Sequence, residues 1–266
     1  MFKKALIVIT AAALSLSAYS DYDMDGVDDS NDQCPNTSFN ELVDINGCTT
    51  KTLTSEHHFD IIYGLSFSEA DYTATPKSDT VSQSLQIDYY YKNFSLQASS
   101  SYYNSDSDDG MNDSFVGAYY KLSPENELTL RFGAGAIIPT YDTELDNNNM
   151  DFIGSANFSY MLKSINLFGG YSYTVINDDD VLGIVSYQNT SSYSGGIGFY
   201  PLKNLYISGS YNSSDSIYKG TEDIETISLY TFYSIDANWF TSLSYSYGLS
   251  DSASDNSVAL RLGYYF

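Results

Sequence analysis

The chain has 266 residues and a formal net charge of −23, with 34 Asp and Glu against 11 Lys and Arg. Such an acid surplus excludes nucleic acid as a partner, because phosphate contacts need a basic surface. Two Cys and two His leave little for transition-metal or nucleophilic chemistry, and 27 Tyr with 16% aromatics are too many for a disordered chain.

Residues 1–20 read as a secretory signal. Lys3 and Lys4 open it, Ala5 to Leu16 supplies the apolar run, and Ala18 and Ser20 supply the small residues of a cleavage site before Asp21. Its removal leaves 9 Lys and Arg against 34 acids, a net charge of −25. No Cys follows the apolar run, so no lipoprotein anchor is expected. Elsewhere nothing approaches the ~18 consecutive apolar residues of a transmembrane helix.

Residues 21–37 read DYDMDGVDDSNDQCPNT, and VDINGC follows at 43–48. Asp21, Asp23, Asp25, Asp29 and Asp32 stand at relative positions 1, 3, 5, 9 and 12, with Gly26 at position 6. This is the spacing of a calcium loop. Alternate side chains point into one concavity, Gly26 permits the sharp turn and Val27 offers its carbonyl. Carboxylates this dense need a hard cation to pack together. Asp32 stands where an EF-hand carries Glu, and no helices flank the loop. The stretch resembles a thrombospondin type 3 repeat, with its D-x-D-x-D-G-x-x-D-x-x-D-x-C-P core, over about a tenth of the chain. That resemblance implies that Asp21, Asp23, Asp25, Asp29 and Asp32 are calcium ligands. Such repeats also occur beside the barrels of some bacterial outer-membrane proteins. The alternative is an acidic, solvated linker.

Cys34 and Cys48 lie in the same segment. In an exported chain with two Cys a disulfide is the default, closing a loop of about 15 residues and contributing ~3 kcal/mol in the chain-entropy account. So small a segment has almost no core and depends on its metal and its staple.

From His57 onward, alternating segments recur between polar breaks. Twelve strands are predicted at 57–68, 80–91, 94–104, 114–122, 127–138, 151–162, 165–176, 190–200, 204–213, 224–234, 238–248 and 256–266. Short breaks, such as Tyr91-Lys92-Asn93 and Ser123-Pro124-Glu125-Asn126, alternate with longer, mostly acidic ones, such as Ser105–Asp113 and Asn177–Asn189. Lys92, Lys121, Lys163 and Lys203 are assigned to the turns. One face of the strands carries Phe59, Ile61, Tyr63, Leu65 and Phe67, or Leu128, Leu130 and Phe132. The other carries mainly Ser, Gly, Thr, Gln and Asn, as at Ser242, Ser244 and Ser246. The fourth and tenth strands leave the register open. A soluble β-sandwich would have to bury an interior made largely of Tyr, and its Greek-key loops would not alternate so regularly.

The last segment, NSVALRLGYYF, is apolar at Val258, Leu260, Leu262, Tyr264 and Phe266 and resembles the closing strand of bacterial outer-membrane β-barrels. The resemblance implies that Phe266 is part of the signal read by the barrel assembly machinery. It also fits the rhythm of the breaks: a transmembrane, antiparallel up-and-down barrel of about 12 strands over 57–266, with tight periplasmic turns and longer outer loops. An even strand count puts both ends, and the calcium segment at 21–50, in the periplasm of a Gram-negative bacterium.

Asp60, Asp88, Arg131 and Arg261 fall on the inner face near the periplasmic ends of their strands. Closure would bring Arg261 to Asp60, with Arg131 facing Asp88. The cluster reads either as a charged constriction or as a brace. His57 and His58 have no Ser-centred motif beside them, and Asp106, Asp108, Asp109 and Asp178–Asp180 read as solvated loop acids, so no enzyme is expected. The functional expectation is a small porin or channel for ions or small solutes. A non-conducting structural or adhesive barrel is the alternative, and an outer-membrane hydrolase a third. Outer-membrane lipid and lipopolysaccharide, reached by the acidic loops through divalent cations, are the expected partners.

Overall fold

The computed structural model describes residues 32–34, 37, 43, 46–48, 56–71, 78–106, 108–141 and 148–266. The signal segment and Asp21, Asp23, Asp25, Val27 and Asp29 lie outside the described residues. The N-terminal segment and the strands form separate units.

In the N-terminal unit Cys34 and Cys48 are joined by a disulfide. Thr37 ties its two ends together. Its hydroxyl donates to the Gly47 carbonyl at 2.7 Å and to that of Cys34 at 2.9 Å. Gln33 N–H donates to the Asn46 carbonyl at 2.8 Å.

The second unit is all β. Its strands are β1 (His57–Ala70), β2 (Ser78–Tyr91), β3 (Phe94–Ser105), β4 (Asp109–Met111), β5 (Ser114–Glu125), β6 (Leu128–Ile138), β7 (Asp151–Leu162), β8 (Ile165–Val175), β9 (Thr190–Leu202), β10 (Leu205–Ser214), β11 (Ile224–Ser234), β12 (Trp239–Gly248) and β13 (Asn256–Tyr265). Each wall strand is antiparallel to its neighbours in the chain, and β1 pairs with β13, so the sheet closes on itself. The three-residue β4 is an addition to the outer end of β3, where Tyr102 pairs with Met111, and leaves a wall of 12 strands. Closure leaves no wall strand with an unpaired edge.

Four of the hairpins at the short-turn end, β2–β3, β5–β6, β7–β8 and β9–β10, are two-residue connections. Lys92 (φ 52°) and Lys163 (φ 58°) take the left-handed conformation that lets a tight turn match the strand twist. In the β11–β12 turn, Asp236 accepts the N–H groups of Asn238 and Trp239, both at 2.8 Å. Those bonds hold its carboxyl below the usual range, because they favour the charged form.

The outward face is apolar and exposed. Phe59, Ile61, Leu65, Leu85, Leu229, Leu243 and Leu260 each show 42–52% of their surface. The register also settles the two open strands: Val116, Ala118, Tyr120 and Leu122 of β5, and Ile227, Leu229 and Tyr233 of β11, point outward. So large an apolar surface is compatible with hydrocarbon and not with water. Trp239, Tyr264 and Phe266 meet edge to face, with centroids 4.6–4.8 Å apart, near the short-turn end, the place of an interfacial aromatic girdle. A hollow of about 510 Å³ on this face lies where Ala98, Ala118 and Ala134 follow one another, and it belongs to the lipid side.

Candidate functional site: the barrel lumen

The inward face has two tiers. Toward the long loops, on β9 to β12, it is built mainly of small hydroxyl and amide side chains that bond to one another across strands. Ser192 donates to Ser214 at 2.7 Å, Ser228 and Ser246 lie 2.8 Å apart, and Asn212 Nδ2 donates to Ser228 at 3.1 Å. A cavity of about 420 Å³ opens here, lined among others by Asn157, Ser194, Asn212 and Thr226, with Tyr119 and Arg131 at one end.

Toward the short turns the inward face is aromatic, and its rings lie along the wall. Four of them cover a glycine on a neighbouring strand: Tyr119 over Gly133, Phe168 over Gly196, Tyr206 over Gly198 and Phe240 over Gly263. A Cβ at any of these glycines would strike the ring. The missing side chain is thus the shelf on which the ring rests. Ring centroids are 4.8 Å apart for Tyr200 and Tyr206, 6.5 Å for Tyr206 and Tyr230, and 5.4 Å for Phe232 and Phe240.

Asp60 and Asp88 are directly opposite on β1 and β2, and both are buried. Asp60 Oδ2 accepts from the Tyr90 hydroxyl at 3.2 Å, and Asp88 Oδ2 from Gln86 Nε2 at 2.8 Å. Asp60 Oδ1 is buried without a hydrogen-bond partner.

The expected Arg261–Asp60 ion pair is not made. Arg261 is opposite Gly64 on β1 and Ser242 on β12, whereas Asp60 is opposite Tyr265. The offset is four residues, ~13 Å along a strand. Arg131 does not pair with Asp88 either, but lies over the Tyr119 ring at 3.8 Å. Neither Arg forms an ion pair among the described residues. Both guanidiniums are still near enough to Asp88 to act on it electrostatically.

Lys121, expected in a turn, belongs to the wall. β5 continues to Glu125 through an irregularity between Leu122 and Glu125, which leaves Lys121 directly opposite Arg131. His57 stacks on Tyr91 at 4.8 Å and His58 on Tyr265 at 5.3 Å, both at the short-turn rim.

The loop acids are exposed, as read from the sequence, and many are also tied into the loops. Asp178 accepts the Asn149 N–H at 2.6 Å and Asp108 the Tyr103 hydroxyl at 2.6 Å. Asp180 accepts the Tyr187 N–H at 2.7 Å and meets Lys219 Nζ at 3.4 Å. The Tyr187 bond first, and Lys219 second, hold the Asp180 carboxyl below its usual range. Tyr187 and Tyr218 meet at a tilt, centroids 5.5 Å apart, beside them, joining the β8–β9 and β10–β11 loops.

A closed, 12-stranded antiparallel barrel with an apolar exterior and a polar interior has the architecture of bacterial outer-membrane barrels. The solved structures it resembles are of that kind. It is 14% identical to the NanC porin, with a TM-score of 0.55, over 77% of this chain and 98% of that one. It is likewise 14% identical to the KdgM porin, with a TM-score of 0.52, over 78% and 98%. The KdgM porin in complex with disordered oligogalacturonate gives a TM-score of 0.53 over the same shares. At this identity the likeness is one of fold. No protein-family model and no curated protein matches the chain.

Proposed function

We propose that the protein is an outer-membrane channel for ions or small solutes, non-enzymatic, with a calcium-binding repeat at its periplasmic end. The observation that carries the channel reading is the lumen: rings folded onto glycine shelves, beneath a wall of small hydroxyl side chains. A barrel built only to brace a membrane would gain more from large side chains interlocked across its interior. Planar-bilayer recording on the purified full chain tests the reading. Steady single-channel steps are expected, and a silent bilayer containing folded protein would replace the channel with the structural, non-conducting barrel. The acidic loops fit contact with lipopolysaccharide through divalent cations, and Phe266 fits the assembly signal.

Asp32 supports the calcium reading. Its Oδ1 accepts the Cys34 N–H at 2.7 Å, while Oδ2 is buried with no hydrogen-bond partner. A carboxylate oxygen in that position suits a hard cation held jointly with Asp21, Asp23, Asp25, the Val27 carbonyl and Asp29. Titration calorimetry of the full chain with calcium is expected to give a binding heat that Asp23→Asn with Asp25→Asn abolishes. An unchanged heat would reject the site.

A further inference from the structure

We propose that the lumen wall formed by β9 to β12 is a track for a neutral, polyhydroxylated solute of the oligosaccharide class. This deepens the channel reading and depends on it.

The four strands repeat one order of inward residues. From the long-loop end, β9 presents Ser192 and Ser194 and ends at Tyr200. On β10 the order is Asn212, Ser210, Ser208 and Tyr206, and on β11 it is Thr226, Ser228, Tyr230 and Phe232. On β12 Ser246, Ser244 and Ser242 lead to Phe240. No Asp, Glu, Lys or Arg occupies an inward position of these strands. The charges at inward positions of the wall, Asp60, Asp88, Lys121, Arg131, Asp151 and Arg261, all belong to β1, β2, β5, β6, β7 and β13. One arc of the lumen is therefore uncharged, hydroxylated above and aromatic below.

A sugar matches that arc. Its hydroxyl rim donates and accepts hydrogen bonds, as Ser, Thr and Asn do, and its C–H face is apolar and flat. Tyr200, Tyr206 and Tyr230, with centroids 4.8 and 6.5 Å apart, form a continuous aromatic run across three strands. The hydroxyl end of Tyr206 rests against Gly198, on the inward side of the wall. A charged solute gains nothing from this wall and would lose hydration along it.

The mouth disfavours acidic cargo. The six long loops carry sixteen acidic residues against Lys77 and Lys219, and the whole chain has two Arg. That field concentrates cations and repels anions on approach. The expectation for this chain thus departs from the acidic oligogalacturonate held in the KdgM complex.

The test is current block in planar bilayers with the full chain. After the open conductance is recorded, maltohexaose and hexagalacturonate are titrated separately. Maltohexaose is expected to interrupt the current reversibly, and at lower concentration than hexagalacturonate. Tyr206→Ala with Tyr230→Ala is expected to raise its half-blocking concentration roughly tenfold, while Tyr206→Phe with Tyr230→Phe, which keeps the rings, retains the block. Heat-modifiable mobility confirms that each variant is folded. Tighter block by hexagalacturonate, or block indifferent to loss of the rings, overturns the track and leaves the channel standing. Folded protein without conductance overturns the channel reading and the track with it.

Discussion

Leu260 and Ala259 are neighbours in β13 on opposite faces of the wall, and an arginine at each should behave differently. Leu260 is 51% exposed on the outward side, directly opposite Leu65 on β1 and Leu243 on β12. Tyr264 lies four residues toward the short turns, and Tyr247, opposite Asn256, marks the level four residues the other way. Each interval is ~13 Å along the strand, or ~10 Å along the barrel axis at a tilt of ~40°. Leu260 therefore sits at the centre of the apolar band, where an arginine costs ~2–4 kcal/mol. Ala259 is opposite Ser66 and Ser244 and faces water. Ala259→Arg should cost less than ~1 kcal/mol, like an ordinary solvent-facing substitution. Denaturant unfolding in lipid vesicles, followed by the fluorescence of Trp239, the one Trp of the chain, measures both. Bilayer recording adds a second readout: Ala259→Arg should shift ion selectivity toward anions, and Leu260→Arg should not. Equal losses, or a larger loss for Ala259→Arg, would mean that β13 is displaced by one residue and that every inward assignment built on it is wrong.

Gly198→Ala should force the Tyr206 ring off its shelf and toward the lumen. Lower single-channel conductance with normal folding is expected; unchanged conductance would mean the ring has other room. In the loops, the Asp180 carboxyl is charged below its ordinary value of 3.8 because Tyr187 and Lys219 favour that form. A group with a depressed folded value contributes its stability above the ordinary value and loses it as pH falls through the depressed one. The Tyr187 amide should therefore stay protected at neutral pH and lose protection only below about 3.8, and Asp180→Asn should abolish that dependence. The same loss of protection below about 3.8 in Asp180→Asn would sever the link.

The strands were legible because two solvents enforce them. With lipid on one side and a wet lumen on the other, each residue must take a side, and the period-two pattern runs nearly from turn to turn. The observed Asp151–Leu162 and Ile224–Ser234 coincide with the expected limits for that reason. The expected strand 114–122 stops short of Glu125 because Pro124 reads as a turn, and Lys121, near that expected end, reads with it. The chain keeps its strand past that point through the irregularity between Leu122 and Glu125, where a residue without an N–H does not break the ladder.

The Arg261–Asp60 pairing failed for a different reason. A shift of one residue flips every side chain to the wrong face and is forbidden by the apolar pattern, but a shift of four preserves all the faces. Alternation therefore specifies parity and leaves the even offsets open. The offset is set by how the turns join and by how side chains interlock between strands. The glycine shelves belong to that second level: Gly198 weakens β9 when read alone, and its purpose lies in Tyr206 on β10. The same distinction applies to the lumen chemistry. Which residues face inward follows from parity, so the uncharged arc of β9 to β12 can be read from sequence once the strands are counted. Whether a charge is paired or left free depends on the offset. Arg131 and Arg261 could be recognised as lacking a carboxylate partner only after Arg261 was seen opposite Gly64, and Arg131 over Tyr119.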